Sequence, residues 1–290
     1  MHVRLEQDLV SREVRSILRW ILLLNLLVFV VKLLIGLRAH SLSIMGDAIH
    51  SGIDSFNNII ALVMIKLAAE PPDEKHPYGH EKFETLGALA VVAFLAITSF
   101  ELLEKSIVRF FNPGDYPQID QLTIYLLVGT LLVNIFVWFY ESQAGKRLNS
   151  QLLQADAAHT FSDILVTISI LASVFFIARG HLWLDPFLGI IIAAVIIRGG
   201  WLILRQTVPI LVDEAWIKER DLSELVMSTD KVVSYTGFRS RRGHHRNFVE
   251  LKLRFDTDSL TEAHDLSHEV ERKIIEKFGK AEVLIHIEPG

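Results

Sequence analysis

Apolar residues in this chain run in long blocks rather than in stripes. Six blocks, at approximately 17–37, 41–68, 84–103, 122–140, 154–178 and 183–204, each match the length of a bilayer-crossing helix, which takes about 20 residues at about 1.5 Å of rise each. A block with no polar face predicts a helix that meets lipid or another helix all round. The second block is the least apolar, because Asp47, His50, Asp54, Asn57 and Asn58 interrupt it. After Pro209 the texture becomes mixed and water-compatible. That change predicts a transmembrane domain over 1–208 and a cytoplasmic domain over 209–290.

In the second domain the period changes. Residues 215–227 read as a helix. Over 248–255, Val249, Leu251, Leu253 and Phe255 alternate with Glu250, Lys252 and Arg254, the two-residue period of a half-buried strand. Residues 261–278 repeat apolar positions at helical spacing and stop at Gly279, a helix-end signal. A last strand is predicted over 282–287. The fold class is therefore an α-helical membrane protein of six transmembrane helices with a small α+β domain of order α-β-β-α-β. Within that domain the 239–246 stretch, with its pair His244 and His245, reads as a hairpin turn.

Composition narrows the chemistry. Apolar residues make up 51% of the 290, which fits a membrane protein, and the net charge of −5 leaves no polybasic footprint for nucleic acid. With no cysteine, disulfides, thiolate metal sites and thiol nucleophiles are excluded. Metal chemistry must use His, Asp and Glu. Residues 1–16 carry both signs of charge, and the apolar run that follows is too long for a cleavable leader, so it is read as a retained helix. With both termini inside, the inner segments hold Arg4, Arg12, Arg15, Lys66, Lys75, Lys82, Lys146 and Arg147, against Arg38, Lys105, Arg109 and Arg179 outside. The bias favours cytoplasmic termini.

The most informative feature is an internal repeat. Asp47-Ala-Ile-His50-Ser-Gly-Ile-Asp54 in the second block matches Asp156-Ala-Ala-His159-Thr-Phe-Ser-Asp163 in the fifth, every pair offset by the same 109 positions. Positions i, i+3 and i+7 share one helical face, so each block presents Asp, His and Asp as one polar stripe. Ionisable groups deep in a bilayer cost at least about 2.5 kcal/mol for each Asp and mark ion pathways. The two helices run in opposite directions. Counted from their entry points, His50 and Asp54 lie roughly 13 and 19 Å deep, and His159 and Asp163 roughly 8 and 14 Å from the opposite face. In a core about 30 Å thick the pairs overlap, so four ligands can converge. Two imidazoles and two carboxylates suit tetrahedral Zn²⁺ at about 2.0–2.2 Å and neutralise its charge. Ca²⁺ wants more oxygens. Fe²⁺, Co²⁺, Ni²⁺, Cd²⁺ and Mn²⁺ stay open, since affinity alone separates such ions poorly. Asp47 and Asp156 are candidates to orient the histidines from behind.

With its paired H-x-x-x-D motifs, six spans and α+β tail, the chain resembles the cation diffusion facilitators over nearly its whole length. The resemblance implies a homodimeric secondary transporter of the cell (inner) membrane rather than an enzyme. Such a protein moves Zn²⁺ out of the cytoplasm in exchange for protons through His50, Asp54, His159 and Asp163. It further implies a second zinc site at the Asp73, His76 and His80 positions of Asp73-Glu-Lys-His76-Pro-Tyr-Gly-His80. A charge interlock of Lys82 with Asp213 at the dimer interface is implied as well. In the tail, two family histidine positions fall on Thr236 and Lys252, which leaves a partial site of His264, His286 and Glu288. His268, one helical turn from His264, or His244 and His245 are further candidates. Two other classes were weighed. An intramembrane metallohydrolase would need a His-Glu-x-x-His helix, which is absent. A metal-sensing membrane protein without transport would differ by showing no metal flux.

Overall fold

A computed structural model describes residues 2–39, 42–112, 121–177, 179, 181, 183–243 and 247–289. They form two compact units, Met1–Thr207 and Val208–Gly290. The first is built from α1 (His2–Ala39), α2 (Leu42–Ala68), α3 (Lys82–Phe111), α4 (Gln121–Arg147), α5 (Gln151–Ile177) and α6 (Leu184–Leu211). All six helices contain segments long and apolar enough to cross a membrane.

Helix α1 starts at His2 rather than at the apolar run from residue 17. Val14 continues the spacing of Ile17, Leu18 and Ile21 one turn upstream, and all four are buried. They pack with Ala61 and Ile65 of α2, Ala88 and Val91 of α3, Val137 and Ala144 of α4, and Leu152, Leu153 and Ala155 of α5. The polar stretch before the first apolar block is thus an amphipathic extension with a buried stripe.

Close approach of α2, α3 and α5 depends on Gly87. A Cβ there would lie 2.9 Å from Met64 Cβ and 3.1 Å from the Leu152 side chain. Helix α5 begins at Gln151, because Ser150 accepts from the Leu153 amide at 3.3 Å as an N-cap. The same hydroxyl donates to buried Glu84 of α3 at 2.5 Å. Asn149 takes the left-handed φ of 50° that turns the chain between α4 and α5.

The second unit holds α7 (Glu219–Met227), β1 (Val232–Arg241), β2 (Asn247–Phe255), α8 (Leu260–Phe278) and β3 (Ala281–Glu288), in the expected α-β-β-α-β order. The sheet order is β1-β2-β3, antiparallel between β1 and β2 and parallel between β2 and β3. Val249, Leu251, Leu253 and Phe255 are buried against Leu222, Val226, Val270 and Ile274. Helix α7 is shorter than the predicted 215–227. Just ahead of it, the Ile217 amide donates to Ser240 Oγ of β1 at 3.1 Å. Arg239–Arg241 belong to β1, and the rest of the predicted 239–246 turn includes His244 and His245, which lie outside the described residues.

Candidate metal site

The two repeats meet. His159 of α5, 4% exposed, places Nε2 3.2 Å from Asp54 Oδ1 of α2 and 3.9 Å from Asp163 Oδ2 of its own helix. His50 Nε2 of α2 lies 3.9 Å from Asp163 Oδ1. One ligand atom from each of Asp54, His159 and Asp163 falls within 4.8 Å of the others. In a tetrahedral site with bonds of about 2.0–2.2 Å, neighbouring ligand atoms stand about 3.3–3.6 Å apart. The contacts of 3.2 and 3.9 Å bracket that edge. His50 is the loosest member, its side chain 49% exposed.

Two cavities share the ligands. One of about 90 Å³ is lined by Lys32, His50, Ser51, Asp54, Asn134 and Asp163. Another of about 410 Å³ is lined by His50, Asp54, Asn57, Glu101, His159 and Asp163. An ion on these ligands therefore borders open volume in two places.

The supporting residues differ from expectation. The side chain of Asp47 lies outside the described residues. Asp156 is buried at 2% exposure, yet His159 Nδ1 has no hydrogen-bond partner among the described residues. Glu141 of α4 accepts from Thr160 Oγ1 at 2.9 Å, and Asp156 Oδ2 also has no hydrogen-bond partner among the described residues. Sharing a stripe with His159 does not by itself bring the Asp156 carboxylate into hydrogen-bond contact with the ring.

In the loop after α2, Asp73, His76 and His80 do gather within one ion's reach. His76 Nδ1 is 3.1 Å and His80 Nε2 3.6 Å from the Asp73 carboxylate. His80 Nδ1 contacts the Pro71 carbonyl at 3.1 Å, which fixes the ring and leaves Nε2 facing Asp73. Backbone N–H donation from His76, joined by Lys75, holds the Asp73 carboxyl below its usual range. Gly79, at φ 89°, makes the turn that brings His80 back.

The tail residues are scattered. Glu288 pairs with Lys252 at 3.4 Å, and Lys252 sits between Thr236 and His286 across the sheet. His264 Nε2 lies 3.3 Å from His268 Nε2 on α8. His264, His286 and Glu288 do not form a ligand cluster. Lys82 is the first residue of α3, and Asp213 pairs with Arg241 of its own unit at 3.2 Å.

Two residues escaped the sequence reading: Lys32 and Glu141 are buried charged side chains on spanning helices. Asn57, named there only as an interruption of the second block, has a buried carbonyl with no hydrogen-bond partner among the described residues. A charge inside an apolar block was the available signal for Lys32.

Comparison with known proteins decides the family. The cation efflux transmembrane domain matches residues 18–212, and the cytoplasmic domain of cation efflux proteins matches 216–290. The chain belongs to the cation diffusion facilitator family. Like other cation diffusion facilitators, it is a divalent metal cation efflux transporter and an integral multi-pass membrane protein. The manganese efflux system protein MneP of Bacillus subtilis is 28% identical over 295 residues, covering 98% of both chains. The cation-efflux pump FieF of Shewanella oneidensis is 28% identical over 262 residues, covering 89% of this chain and 88% of its own. An uncharacterized transporter of Methanocaldococcus jannaschii is 28% identical over 280 residues, 96% of this chain and 99% of its own.

Proposed function

We propose that this facilitator exports Zn²⁺ from the cytoplasm in exchange for protons, through a site formed by His50, Asp54, His159 and Asp163. The observation that carries the reading is the contact of His159 with Asp54 at 3.2 Å, which joins the fifth helix to the second across two copies of one motif. Imidazole binds a metal only through a neutral ring, so proton and metal compete for one lone pair. Cytoplasmic metal displaces protons when the site faces inward. Protons from the opposite side expel the metal once the helices have rocked outward. Two carboxylates neutralise the dication while it is out of water.

The other expectations join this reading. Both termini face the cytoplasm of the cell's inner membrane, and two chains pair, with Lys82 and Asp213 at their interface. Asp73, His76 and His80 hold a second ion near the membrane surface. Supporting the pairing is the match of residues 216–290 to the ZT_dimer cytoplasmic domain of cation efflux proteins.

Manganese export is the second reading. The relative MneP is named for manganese efflux, and Asn57, whose side-chain carbonyl has no hydrogen-bond partner among the described residues, lines the cavity beside His50, Asp54, His159 and Asp163. An added oxygen suits the higher coordination of Mn²⁺.

The test is metal flux into vesicles carrying the purified protein and a metal-sensitive dye. Zn²⁺ uptake that rises with an imposed proton gradient, and falls to the background of empty vesicles in Asp163→Ala, is expected. Full uptake by Asp163→Ala would overturn the site. Uptake indifferent to the gradient would remove the proton coupling.

A further inference from the structure

Phe94, Ile97, Thr98, Glu101, Leu102 and Lys105 of α3 line the cavity of about 410 Å³ that the four ligand candidates also line. Their spacing of three and four puts them on one face of α3, a wall about 16 Å long. Its level relative to the ion site follows from Gly87, which stands against Leu152 of α5. Leu95 and Leu102 share a cluster with Ala158 and Leu165, so the two helices run in the same direction. Glu101 is 14 residues beyond Gly87, and Asp163 is 11 beyond Leu152. At about 1.5 Å per residue, Glu101 stands about 4.5 Å further along than Asp163. With the termini in the cytoplasm α3 starts inside, so that step is outward. Among the described residues, Glu101 is the acidic side chain on this cavity apart from the ligand candidates. It pairs with Lys105, one turn further out, at 3.5 Å, and both side chains are exposed.

We propose that Glu101 is the outward release residue, the carboxylate that takes the dication as it leaves Asp163. The inference rests on the transport reading and the cytoplasmic termini proposed above. Phe94, Ile97 and Leu102 offer a departing dication no ligand. A carboxylate about one turn further out divides the passage from full ligation to water into two smaller steps. A stop on an ion's route must stay weak, or the ion remains there. Lys105 supplies that limit: its ammonium repels the dication and competes for the same carboxylate. Exposed pairs of this kind are themselves weak, so the ion displaces the lysine without a large cost. Once the ion has left, the pair re-forms.

The experiment measures Zn²⁺ flux in reconstituted vesicles, and Zn²⁺ retained per chain, for wild type, Glu101→Gln and Lys105→Gln. Glu101→Gln is expected to lower kcat about fivefold, a barrier higher by about 1 kcal/mol, while the number of retained ions stays at the wild-type count. Lys105→Gln breaks the same ion pair but keeps the carboxylate, and its kcat is expected to stay well above that of Glu101→Gln. Wild-type kcat in Glu101→Gln would overturn the inference. Equal losses in the two variants would do so as well, since the pair alone would then explain them. A lower ion count in Glu101→Gln would also overturn it, by making Glu101 a support of the ion site rather than a stop beyond it. Absence of flux in the wild-type protein, or full flux in Asp163→Ala, would instead overturn the transport reading, and this inference with it.

Discussion

His159 shows how much one side chain depends on its surroundings. Its Nε2 is held within reach of Asp54 and Asp163, while Nδ1 has no partner among the described residues. His50 is the more exposed imidazole, and its nitrogen meets the Asp163 carboxylate at 3.9 Å. That makes position 50 the natural place to alter ion preference. Imidazole suits zinc, whereas carboxylate suits manganese. His50→Asp is expected to lower the ratio of Zn²⁺ to Mn²⁺ flux by about tenfold, an effect worth about 1.4 kcal/mol, read by running both ions against the same vesicles. An unchanged ratio would show that His50 does not set selectivity. The four ligand candidates were legible because the motif occurs twice at one offset. Asp156 shares the stripe of His159, yet His159 Nδ1 has no hydrogen-bond partner among the described residues: helical spacing says which residues share a face, not which side chains touch. Lys32 was missed because burial of a cation on α1 is set by the packing of α2 against it, which no periodicity contains.

Among the elements, the six spanning helices and four of the five tail elements could be read from hydropathy and period, whereas β1 (Val232–Arg241) had a place in the order but no residues assigned. Their ends could not. Helix α5 starts at a serine cap, and the start of α1 depends on a buried stripe within polar sequence. The approach of α2 and α5, on which the ion site rests, passes through Gly87 of α3. A larger side chain there must move Met64 at its Cβ, next to backbone, and Leu152 of α5. Gly87→Leu is expected to cost about 1–3 kcal/mol through overpacking, seen as a lower midpoint of thermal unfolding in detergent, and to weaken metal binding without touching a ligand. Unchanged stability and binding would mean that this contact does not fix the helices.

For the whole molecule, the pattern of apolar blocks sets a membrane unit apart from a water-compatible unit, and each has its own core. The tail histidines belong to a different layer of organisation. Lys252 pairs with Glu288, while His264 meets His268. Asp73, His76 and His80 form a ligand cluster distinct from the one in the helices. The two proposed sites would each add to the metal retained by the whole protein, so they must be separated before the helix site can be counted. The most direct measurement is the number of Zn²⁺ ions retained per chain after removal of free metal. It compares the triple variant Asp73→Ala, His76→Ala, His80→Ala with the same variant carrying Asp54→Ala. A difference of about one ion per chain is expected, since a tetrahedral ligand set takes a single dication. Equal retention by the two proteins would contradict an ion site at the meeting of α2 and α5.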